Sequence, residues 1–161
     1  MAALAKFGLA ILVIGALAGV QSPMQAAPAA SGVCQPTTSK FKASEESTTV
    51  TTTSSSYVPV NGTRMNFVQG SGSSCIVVSF TADARSEFPS VLADVAIYVD
   101  GKVCRRSTLM TLPVDFVTTT VKAVCANVAA GSHSVQIKYR RTDANGFVKL
   151  QNFTTIVEHR Q

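Results

Sequence analysis

The chain has 161 residues, a formal net charge of +5, four cysteines, two histidines and no tryptophan. That length leaves room for one domain of ordinary size behind an N-terminal leader. The mild positive charge falls short of a nucleic-acid footprint, which gathers lysines and arginines on one face. Two histidines are too few for a copper–zinc centre built on a histidine cluster.

Residues 1–27 have the order of a cleaved secretory signal peptide: Lys6 is the positive start, residues 9–20 are apolar or glycine, and small residues follow around Ala26 and Ala29. A membrane-spanning anchor needs roughly 20 apolar residues; this core is shorter, so no stable membrane insertion is expected after cleavage. Ser31-Gly32-Val33 ahead of Cys34 lacks the leucine and the small residue of a lipobox. Loss of the leader removes Lys6 and no acidic residue, leaving a charge of +4. The expected address is periplasmic or secreted, in a bacterium.

Residues 28–46 read as a polar tether with little regular structure, and 47–161 as the folded domain. In 47–56 every position but Val50 is Ser or Thr. Such a run suits either a flexible stalk or a polar edge strand, and the apolar Tyr57-Val58-Pro59-Val60 that follows favours the strand. Asn61-Gly62 is a turn, Met65 to Val68 a short strand, 70–74 a loop, and 75–82 a strand with Ile76, Val78 and Phe80 on one face. After a loop at 83–90, Val95, Ile97 and Val99 alternate with Asp94, Ala96 and Tyr98 up to Asp100-Gly101. Asp-Gly between apolar runs is a strong hairpin signal, because a type I′ turn needs positive φ at both central residues. The returning strand carries Cys104. A connection over 105–115 leads to a long strand at 116–128. Residues 133–141 alternate with Val135, Ile137 and Tyr139 inward. The last strand, 147–158, switches phase between Leu150 and Phe153, which predicts a bulge near Gln151-Asn152. Seven or eight strands with no helix outside the leader predict a single antiparallel β-sandwich, immunoglobulin-like or jelly-roll.

Cys34, Cys75, Cys104 and Cys125 all lie beyond the leader. An even count in an exported chain predicts two disulfides, and the pairing expected is Cys104–Cys125 with Cys34–Cys75. No two are spaced as zinc ligands, and no metal or other cofactor is expected.

Catalysis has little to stand on. His133 opens a strand, and His159 lies near the C-terminus, where fraying is common. No nucleophile elbow, His-Glu-x-x-His or Cys-x-x-Cys occurs. Asp83, Glu87, Asp94, Asp100 and Asp115 are available, but nothing in their spacing pairs two of them as hydrolytic carboxylates. Asp143 and Asn145 are a fragment of a calcium loop without further ligands. Asn61-Gly62-Thr63 and Asn152-Phe153-Thr154 fit the glycosylation pattern without pointing to a function.

Binding readings survive better. Arg105, Arg106, Lys138 and Arg140 concentrate positive charge, and Tyr98 points away from the apolar face. If the strand at 133–141 lies beside the hairpin, these residues form one basic patch suited to an anionic polysaccharide or an acidic protein face.

The run Val99-Asp100-Gly101, the strand start Gly131-Ser132-His133-Ser134-Val135 and the strand end Tyr139-Arg140 resemble a pattern in small exported bacterial β-sandwich domains. The resemblance spans residues 57–158. It implies a fold and an extracytoplasmic address, and it brings no catalytic residues. The expected function is a non-enzymatic binding or structural domain. The alternatives are a small hydrolase or lyase with an unrecognised carboxylate site, and an assembly subunit that adds a strand through residues 47–56.

Overall fold

The computed structural model describes residues 39–70, 74–109, 111–113 and 115–160. The expected leader lies outside them. Ten strands form: β1 Ser39–Glu46, β2 Val50–Thr52, β3 Val58–Pro59, β4 Met65–Gln69, β5 Ser74–Ser86, β6 Ala93–Val99, β7 Lys102–Leu109, β8 Val117–Val128, β9 Gly131–Arg141 and β10 Val148–Arg160. No described residue is helical. In the first sheet β1 and β2 share one edge of β10, followed by β5 and β8; in the second, β3 and β4 share one edge of β9, followed by β6 and β7. Every ladder is antiparallel. The chain changes sheet at each connection from β2 onward, apart from β3–β4 and the β6–β7 hairpin. Of the two sandwich types expected, this connectivity is the jelly roll.

Alternation builds the core. Ile76, Val78, Phe80, Ala82 and Ala84 of β5 point inward with Val121, Ala123 and Cys125 of β8, and meet Val95, Ile97, Val135, Ile137 and Tyr139 from the other sheet. Phe80 and Phe153 are fully buried with ring centroids 6.2 Å apart. The expected bulge in the last strand is present: Gln151 pairs with Asp83 but Thr154 with Thr81, and Asn152 takes φ 47°. It lets both Leu150 and Phe153 reach the core.

The β6–β7 turn is a two-residue loop, with Val99 opposite Lys102 and φ of 49° at Asp100 and 76° at Gly101. Just beyond it, Ile97 pairs with Arg105 and Tyr98 with Val103, so Cys104 is an extra residue on β7. That bulge turns Cys104 toward the core and β8, where it is bonded to Cys125 with Cα atoms 5.5 Å apart. The disulfide joins the edge strands of the two sheets. Cys34 lies outside the described residues, and so does its expected pairing with Cys75.

Four expectations are corrected. The tether does not run to residue 46, because 39–46 form β1 along β10; its polar residues suit an exposed edge strand as well as a stalk. Residues 105–109 continue β7, and 83–86 continue β5. The Ser/Thr-rich stretch is not one strand. It pairs with β10 only over β2, bends at Ser55 and Ser56, and crosses to β9 as β3. The crossing is held by arginines: Arg141 donates from its backbone to Ser54 O at 3.0 Å and from its guanidinium to Thr53 O, and Arg140 donates to Ser55 O at 3.3 Å.

Closing the 21-residue separation between Cys104 and Cys125 restricts the unfolded chain by about 3 kcal/mol. The double variant Cys104→Ser/Cys125→Ser is expected to lose about that much unfolding free energy and to unfold with a steeper denaturant slope, measured by chemical denaturation.

Candidate functional site

Directly opposed residues of an antiparallel ladder share a face. With Val95 and Ile97 inward, Asp94, Ala96 and Tyr98 of β6 face out. Asp94 lies between Thr108 and Arg140, Ala96 between Arg106 and Lys138, and Tyr98 opposite Gln136. Arg106 and Lys138 therefore stand on either side of Ala96, two strand spacings or roughly 10 Å apart at the backbone. Tyr57 joins them. Val58 pairs with Tyr139, whose buried phenol is pushed up to about 12 by desolvation; the residue before Val58 therefore turns outward beside Arg140.

The outer face of the second sheet thus carries two rings, three cations and one carboxylate. The Arg140 and Arg106 guanidiniums lie 4.8 and 5.7 Å from the Tyr57 centroid, and Lys138 Nζ lies 4.3 Å from that of Tyr98. These contacts fix the rings and leave the cations half in water. Ala96 is 0% exposed although it faces outward, so the longer side chains around it form a continuous surface. Asp94 accepts from Arg140 Nη2 at 2.9 Å, Arg140 Nε at 3.2 Å and Thr108 Oγ1 at 2.7 Å. Its carboxylate raises the Arg140 guanidinium further above its ordinary value. Arg140 is thereby matched within the protein. Among the described residues, Arg106 and Lys138 have no carboxylate within 4.0 Å.

Of the expected patch residues, the register brings together Tyr98, Arg106, Lys138 and Arg140. The register sets Arg105 apart from these: it is paired with Ile97, on the other row of β7 from Arg106, and is exposed beside the Cys104 bulge, because neighbours along a strand point to opposite faces. Tyr57 is a further member of this face, beyond the expected residues. The alternation of Val58 and Val60 was the available signal, since it sends Tyr57 and Pro59 outward.

The histidines do other work. His133 Nδ1 is 2.6 Å from Asp100 Oδ2, and Nε2 is 2.9 Å from Ala129 O. Both partners are acceptors, so only the doubly protonated ring donates to each. The bond to Asp100 holds the imidazole above its ordinary 6.5, and the same bond holds the Asp100 carboxylate below its ordinary 3.8. Asp100 also accepts from Ser134 N at 2.8 Å, which ties the hairpin tip to β9. His159 is not frayed: it is buried in β10 with its ring 5.2 Å from Phe67. Asp83 is held by Thr118 and Asn152, and Asp143 by Asn145 N.

No family model matches this chain, and neither does any curated protein. Among solved structures it is similar to an insecticidal delta-endotoxin from Bacillus thuringiensis (TM-score 0.43, 11% identity, 66% of this chain and 19% of that one). It is also similar to the EclA C-terminal domain, a sugar-binding protein (TM-score 0.39, 10% identity, 68% and 77%). A third likeness is to the CBM36-1 domain of a multidomain xylanase from the hindgut metagenome of Trinervitermes trinervoides (TM-score 0.40, 13% identity, 73% and 96%). The chain spans less than a fifth of the delta-endotoxin's length. Likeness at this level assigns no activity.

The His133 contribution is complete below pH 6.5 and lost as pH rises through its raised folded value; the Asp100 contribution is complete above pH 3.8 and lost as pH falls through its lowered one. Both are full between those values. The melting temperature of the parent chain is expected to fall as pH rises from 6.5 through the raised His133 value, and His133→Ala is expected to flatten that fall. Differential scanning calorimetry across pH checks it; an equal fall in both proteins would remove the pair as the cause.

Proposed function

We propose that this chain is an exported, non-enzymatic binding domain that holds an anionic polysaccharide on the outer face of its second sheet. The observation that carries the reading is the alignment of Arg106 and Lys138 across Ala96, beside Tyr57 and Tyr98. Sugar rings stack their C–H faces on aromatic rings, and the acidic groups of a carboxylated polymer match cations that the protein leaves unpaired. The face is broad and strand-built, so it presents its groups on rigid elements. A nucleic-acid duplex calls for a larger basic footprint. Export is supported by the leader-like N-terminus and by the disulfide, which fits an oxidising compartment. Among the described residues no helix is long and apolar enough to cross a membrane.

A non-enzymatic role is supported by what four of the chain's acidic groups and histidines already do. Asp83, Asp94 and Asp100 each hold a partner of their own, and both nitrogens of His133 are engaged.

Binding to polygalacturonate, followed by isothermal titration calorimetry, is expected to weaken steeply with added salt. Arg106→Ala and Lys138→Ala are each expected to weaken it about 10-fold, equivalent to about 1.4 kcal/mol. Arg105→Ala, on the other row of the strand, is expected to leave it unchanged. Equal affinity for neutral dextran contradicts the reading, and binding to polyglutamate in place of the polyuronate points instead to an acidic protein face.

A further inference from the structure

Natural sandwiches guard their open edges with proline, bulges, short strands or covering elements. Most edges here follow that rule. Pro59 stands in the two-residue β3, β2 has three residues, β7 carries the Cys104 bulge and a disulfide to β8, and β8 bulges near Asn127, whose φ is 60°. β1 does not follow it. It is eight residues long, contains no proline, and keeps unbroken register with β10 from Ser39 opposite Arg160 to Glu46 opposite Phe153. Among the described residues β10 is its sole strand partner, so its other edge offers backbone donors and acceptors to solvent. Phe41 on this strand is 74% exposed.

Its charges are ordered along the strand. Lys40 and Lys42 stand in the first half, Glu45 and Glu46 in the second. Lysines of one sign repel any second edge. A strand that runs from lysine to glutamate is complementary to itself when turned end for end. With Ala43 opposite its own copy, Lys40 faces Glu46 twice; with Ser44 opposite its own copy, Lys42 faces Glu46 twice. Centring the pair on Lys42 or Glu45 sets like charges directly opposite, which is destabilising, and a parallel in-register pair does the same at every charged position.

We propose that β1 is a self-association edge, through which two copies of this chain pair antiparallel and continue the first sheet from one copy into the other. The two-fold axis of such a pair is perpendicular to the sheet. It keeps corresponding faces on the same side, so the outer faces of both second sheets point the same way and two copies of the Tyr57–Tyr98 surface are available to one extended polymer. The inner-row side chains do not obstruct the edge: Lys42 reaches across to Asn66 O at 2.9 Å and Ser44 to Gly62 O at 3.1 Å, both toward the opposing sheet. One strand pair is a small contact, so a weak, concentration-dependent dimer is expected.

The test is sedimentation equilibrium on the full mature chain up to about 0.5 mM, a range suited to weak association. The parent chain is expected to shift from monomer to dimer mass with concentration. The charge-reversed chains Lys40→Glu/Lys42→Glu and Glu45→Lys/Glu46→Lys are each expected to stay monomeric. An equimolar mixture of the two is expected to recover the dimer, which also shows that each variant is folded. A parent chain that stays monomeric overturns the proposal. So does a dimer that survives both reversals, or a mixture that fails to recover it when circular dichroism shows both variants folded. The readout is mass alone and does not depend on any polysaccharide.

Discussion

The positive φ at Asp100 and Gly101 is the constraint on which the rest of the second sheet depends. The two-residue turn sets Val99 opposite Lys102 and Tyr98 opposite Val103, and the extra residue Cys104 then shifts the ladder by one, which places Arg106, not Arg105, opposite Ala96. The same aspartate reaches across the sheet, accepting from Ser134 N and from His133. One residue thus shapes the hairpin and locks it to β9, where Lys138 and Arg140 stand. A side chain lost at Asp100 would loosen the register on both flanks of β6 together.

The two ends of the hairpin have opposite chemistry. Toward the tip, the Cys104 bulge and its bond to Cys125 close the two sheets on each other. Along its outer face, Asp94 absorbs the charge of Arg140 and leaves Arg106 and Lys138 unmatched by the protein. Unmatched cations beside aromatic rings add little to folding, because exposed charge pairs and cation–ring contacts are individually weak. The proposed polysaccharide face gives these cations a counter-charge that the protein does not supply. The β1 edge has the same character: a regular strand with an ordered charge pattern and one side that pairs with no strand among the described residues.

Much of this was legible in the sequence because the signals were local. Asp100-Gly101, the phase change after Leu150 and the alternation of Val135, Ile137 and Tyr139 each depend on residues within one strand or turn, and each was found where it was expected. The pairing Cys104–Cys125 was also legible, since a hairpin and the next long strand are natural neighbours. What the sequence hid were consequences of strand choice. Residues 39–46 are mostly polar, and only their ladder with β10 makes them a strand. Tyr57 becomes part of the outer face because β3 pairs with β9, with Val58 opposite Tyr139, far away in sequence. The Ser/Thr run looked continuous with Tyr57-Val58 because composition does not record that Arg140 and Arg141 bend the chain from one sheet to the other.

The most direct measurement is a titration of the isotope-labelled chain with a short galacturonate oligomer, followed by amide and side-chain chemical shifts. Shifts are expected to concentrate on Ala96, Tyr98, Arg106, Lys138 and Tyr57, with β8 and the outer face of the first sheet unmoved. Shifts confined to the first sheet, or none at saturating oligomer, would contradict the proposed polysaccharide face.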